Sequence, residues 1–86
     1  MDKALFRQAQ QLQAKLAKAQ QELSNITVTA TSGGDAVKVV IDGCQKIHSI
    51  EISPEAIAAE DIELLQDLIM TAVNEAIIKS QELANK

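Results

Sequence analysis

Cys44 and His48 stand four residues apart and are the chain's single cysteine and single histidine. A thiol beside an imidazole can be drawn as a nucleophile and its base, but no third group orients the pair, and 86 residues leave little room for a cleft. Two ligands do not make a structural zinc site. The simpler reading is a strand cysteine acting as a small apolar residue beside a half-exposed strand histidine. Gly33-Gly34 is followed by no Lys-Ser or Lys-Thr, so it is a turn and not a phosphate loop. Glu63, Asp67 and Glu75 do not share one tight helix face and read as a solvated surface. No catalytic residue, metal site or cofactor is expected, and the chain reads as a non-enzyme.

A different chemistry is written in Lys3, Arg7, Lys15 and Lys18. On a helix, these four fall within one arc of about 120°, and Gln11, Ala14, Gln21 and the acid Glu22 share it. Any amphipathic helix has a charged outer face, yet a basic stripe is also what phosphate contact requires. Net charge is −4 overall, but +2 over residues 1–25, −1 over 26–53 and −5 over 54–86, so any contact with nucleic acid must be local. Lys79 and Lys86 near the C-terminus are the other candidate cations. Phe6 is the one aromatic residue. Single-strand binders stack bases on aromatic platforms, so duplex DNA is the better fit.

The element carrying these cations is predicted over residues 2–24, a stretch free of Gly and Pro and rich in Ala, Leu, Gln and Lys. Leu5, Ala9, Leu12, Leu16, Ala19 and Leu23 recur at alternating steps of four and three. They form a heptad seam within an arc of about 80°, opposite the cations. Such a helix is about 34 Å long, whereas a six-residue strand spans about 20 Å. Part of the helix should therefore project or pack on another chain.

Three strands follow, predicted at 26–31, 36–42 and 45–52. Ser32-Gly33-Gly34-Asp35 reads as the first turn. Asp42-Gly43 reads as a two-residue hairpin turn in which glycine supplies a positive φ. That turn pairs Ile41 with Cys44, Val39 with Lys46 and Val37 with His48, which places the start of the third strand near the rim. The third strand then carries Ile50 and Ile52 on one face, with Ile47, Ser49 and Glu51 on the other. Ser53 and Pro54 open a short helix over 54–59. Asp61 caps a longer one over 62–84, whose apolar stripe of about 180° implies burial on two sides.

The whole is an α+β domain: helix, three-stranded antiparallel sheet, helix. With 47% apolar residues in a small domain, it is expected to form a homodimer that covers faces one chain leaves open. Residues 1–8 hold no apolar signal core and no long apolar run exists, which makes the cytosol the expected compartment.

The sequence resembles the YbaB/EbfC family of small bacterial nucleoid-associated proteins. The resemblance runs through Gln8-Ala9-Gln10-Gln11-Leu12-Gln13-Ala14-Lys15-Leu16, then Val37-Lys38-Val39, Asp42-Gly43 and Ile50-Glu51-Ile52-Ser53-Pro54. It continues in Glu63-Leu64-Leu65-Gln66-Asp67-Leu68-Ile69 and Ala72-Val73-Asn74-Glu75-Ala76. The family usually has aspartate where Ser53 stands, and both residues cap helices. The resemblance implies an intertwined dimer whose projecting helices engage duplex DNA with limited sequence preference in the nucleoid. Lys3, Arg7, Gln11, Lys15 and Lys18 are then the expected DNA-binding residues. A dimeric adaptor that binds proteins through its apolar faces is the alternative.

Overall fold

The structure is a computed structural model that describes residues 2–58 and 60–85. Its elements are α1 (Lys3–Ser24), β1 (Thr27–Ser32), β2 (Val37–Asp42), β3 (Ile47–Ile52), α2 (Pro54–Ala58) and α3 (Ile62–Ala84). The three strands form one antiparallel sheet in the order β1-β2-β3.

Each helix begins where a side chain satisfies its free N–H groups. Asp2 accepts from the Ala4 N–H at 3.0 Å, so it lies outside α1 as its cap. Ser53 Oγ accepts from Ala56 N–H at 3.2 Å ahead of Pro54. Asp61 accepts from Leu64 N–H at 3.0 Å. The expected end of α2, Ala59, lies outside the described residues.

The core lies between α3 and the first two strands. Ala30, Val37, Val39, Ile41, Ala72 and Ala76 are fully buried, with Val28, Ile52, Leu65, Leu68, Ile69, Val73 and Ile77 packed around them. The two alanines, one helical turn apart, bring α3 close to the sheet. Ser32 donates its hydroxyl to Leu68 O at 2.6 Å and ties the end of β1 to the helix. Lys79 Nζ donates to Thr29 O at 2.9 Å on the far edge strand.

α3 covers only part of the sheet. Ile50, whose register partner is the buried Val39, is 45% exposed. Ile62, Leu64, Met70 and Ile78 on α3 are also exposed. The wide stripe of α3 is thus buried on one side within this chain.

The β2–β3 connection differs from the two-residue turn that Asp42-Gly43 suggested. Asp42 N–H donates to Lys46 O at 2.9 Å and Gln45 N–H to Asp42 O at 3.2 Å, so three residues bridge the strands. Gln45, at φ 67°, takes the left-handed position, while Gly43 has no positive φ. A turn closed by one left-handed residue is the common three-residue hairpin. Ile41 faces Ile47, Val40 faces Ser49, Val39 faces Ile50 and Val37 faces Ile52, replacing the expected pairing with Cys44, Lys46 and His48. The third strand starts at Ile47, not residue 45. His48 is the extra residue of a bulge between Val40 and Ile41. The bulge breaks the two-residue alternation and puts Ile47 across from buried Ile41, not on the face of Ser49 and Glu51.

The molecule is 66 Å long and only 18 by 17 Å across. α1 has no buried residue and extends away from the sheet and α3. The seam residues Leu5, Leu12 and Leu16 are 63%, 59% and 58% exposed. Most of α1 projects, as its length relative to a strand implied, and its C-terminal end meets the body at Gly43. No described helix is long and apolar enough to cross a membrane.

Candidate nucleic-acid interface

Lys3, Arg7, Gln11, Lys15 and Lys18 are all exposed on α1. At 1.5 Å per residue, the cations run along about 22 Å of the arm. Among the described residues, none of the four cations is held in an ion pair; the Lys38–Glu51 ion pair and the Asp42–His48 hydrogen bond lie on the body. The ammonium and guanidinium groups therefore reach solvent on one face, with apolar Leu5, Leu12 and Leu16 exposed on another. Such a face can neutralise phosphates and offers little to read base edges. Gln11 is the one amide of the predicted set, and its side chain both donates and accepts. Lys79 is engaged with the Thr29 carbonyl, and Lys86 lies outside the described residues.

Cys44 and His48 do not come together as nucleophile and base. Cys44 is exposed in the turn, where its Sγ lies 3.4 Å from Gln20 O. His48 Nε2 lies 2.8 Å from Asp42 Oδ2. Among the described residues, no group of three His, Cys, Asp or Glu side chains is placed to hold a metal ion.

The side-chain network that sequence reasoning missed surrounds Asp42. Its carboxylate is buried, with Oδ1 accepting from Cys44 N–H at 2.7 Å and Lys46 N–H at 3.1 Å. The bond to His48 and these two amides hold the Asp42 carboxyl below its ordinary value against the opposing cost of burial. Ser80 on α3 completes the arrangement: its hydroxyl donates to Asp42 O at 2.7 Å and accepts from Gln45 N–H at 3.0 Å. The signal was a lone aspartate ending an apolar strand, and Ser80 in an otherwise apolar stripe.

The whole chain, residues 1–86, matches the YbaB/EbfC DNA-binding family. A nucleoid-associated protein of Pelotomaculum thermopropionicum is 49% identical over 95% of this chain and 78% of its own length. One from Desulforamulus reducens is 51% identical over the same shares, and one from Chloroflexus aurantiacus 43% identical over 95% and 82%. The crystal structure of an uncharacterized protein from Helicobacter pylori superposes with a TM-score of 0.87 over 99% of this chain and 90% of that one. Its 22% identity makes that a likeness of fold. A projecting basic helix on a body of sheet and following helices, together with this match along the full chain, places the protein in the YbaB/EbfC DNA-binding family.

Proposed function

We propose that the chain binds double-stranded DNA through phosphate contacts from Lys3, Arg7, Lys15 and Lys18, with Gln11 among them, and with limited sequence preference. One observation carries this reading: α1 projects from the body with its cations exposed and, among the described residues, in no ion pair. The nucleoid-associated names of the relatives point the same way and suggest the nucleoid as the place of action. The scarcity of aromatic residues favours duplex over single strands.

The acting unit is a homodimer. Leu5, Leu12 and Leu16 along the arm, and Ile50 on the sheet, expose apolar surface that a second copy would cover. Two arms then present eight cations to one duplex. Each neutralised phosphate releases counterions, so affinity falls as salt rises. A mobility-shift assay on unrelated duplexes at two salt concentrations tests the reading. Similar affinities on each duplex, weakened alike by salt, are expected; salt-insensitive or absent binding contradicts it. The same apolar seam supports the second reading, a dimeric adaptor, which predicts protein capture without DNA binding.

A further inference from the structure

The direction of α1 has to be set at its C-terminal end, because no residue along it is buried. There the β2–β3 turn meets it. Gly43 N–H donates to Leu23 O at 3.0 Å and to Ile26 O at 3.1 Å. Cys44 Sγ reaches Gln20 O at 3.4 Å. The last carbonyls of a helix have no partner within it, and the turn supplies them. A Cβ on Gly43 would stand 2.9 Å from Leu23 O, 3.0 Å from Leu23 Cδ2 and 3.1 Å from Leu23 Cβ. Close approach of the helix end, not backbone conformation, therefore demands glycine here.

The turn itself is braced. Asp42 Oδ1 holds the Cys44 and Lys46 amides, Oδ2 meets His48 on β3, and Ser80 ties Asp42 O and Gln45 N–H to α3. We propose that the turn from Asp42 to Gln45 is a socket that fixes the direction of α1 on the body, with Gly43 as a positioning residue for DNA binding. This rests on the reading of α1 as a DNA-binding arm. Gly43 contributes no charge. It acts by holding two arms at a separation that lets both meet one duplex, without which the gain from two-point attachment disappears.

The test measures arm direction with and without DNA binding as a readout. Spin labels at Gln13→Cys on α1 and Asn74→Cys on α3, in a Cys44→Ser background diluted with unlabelled chain, report one distance within a chain. The parent should give a single narrow distribution, and Gly43→Ala a shifted or broadened one. With every cation present, Gly43→Ala should also weaken duplex binding by about a hundredfold or more and make the fall of affinity with salt shallower. A merely destabilised protein would keep the parental salt slope. An unchanged distance distribution overturns the proposal whether or not DNA binds. A shifted distribution with parental affinity and slope overturns the positioning role. Lys15→Glu with Lys18→Glu should leave the distance unchanged; if that variant binds DNA as the parent does, the arm reading fails instead. Should Gly43→Ala not fold, Ser80→Ala, which removes the brace on α3, carries the same expected broadening and the same contrary result.

Discussion

His48 Nε2 lies 2.8 Å from Oδ2 of Asp42, and the bulge in β3 is what brings the two together. The pair, with two backbone amides on the other carboxylate oxygen, makes the charged form of Asp42 the one the fold holds.

Acid should therefore destabilise the fold through Asp42. Its carboxyl is depressed in the folded state, so the stabilisation is fully present above the ordinary carboxylate value and is lost as pH falls through the lower folded value. Denaturant midpoints measured from pH 7 down to pH 3 should drop, and Asp42→Asn should show a flatter drop. Equal pH dependence in the two proteins would contradict this.

Close packing of α3 on the sheet predicts intolerance of bulk at Ala76, which is fully buried. Ala76→Leu should cost about 1–3 kcal/mol through overpacking. Ile41→Ala, opening a cavity at a fully buried site, should cost about 2–5 kcal/mol. Chemical denaturation checks both. A neutral Ala76→Leu would mean that α3 does not sit against β1 and β2 as described.

Leu12 separates a lone chain from a dimer. It is 59% exposed within one chain. Leu12→Asp should be nearly neutral in a monomer, within about 0.5 kcal/mol. In a homodimer that covers the seam, it should lower both the assembly mass and the melting temperature, and make melting depend on concentration. Light scattering of the parent should give twice 9.3 kDa. A well-folded parent monomer with concentration-independent melting would exclude the dimer.

Much of this architecture can be read from residues whose local preferences agree with their final place. The Gly-free α1, the caps at Ser53 and Asp61, and the alternation of Val37, Val39 and Ile41 each point to the element in which they are found. The hairpin register was not legible. Asp42-Gly43 signals a tight turn, but Asp42 uses its side chain to hold a three-residue one, and the bulge at His48 shifts everything after it. Gly43 misleads for the same reason: its glycine answers to Leu23, twenty residues earlier, and not to its own φ. The stripe of Lys3, Arg7, Lys15 and Lys18 was visible from spacing, whereas the attachment of α1 at its C-terminal end alone depends on tertiary placement that spacing does not encode.

The most direct measurement is duplex binding by Lys15→Glu with Lys18→Glu across a salt series. Both side chains lie exposed on the face of α1 away from the leucine seam, so the variant should fold as the parent does. If about four to six of the eight cations in a dimer meet phosphates, log affinity of the parent should fall against log salt with a slope of about −4 to −5. The charge reversal should weaken binding to unrelated sequences alike and reduce that slope, since phosphate contacts carry no base information. A folded double variant that binds duplex DNA at low salt as tightly as the parent would contradict the account.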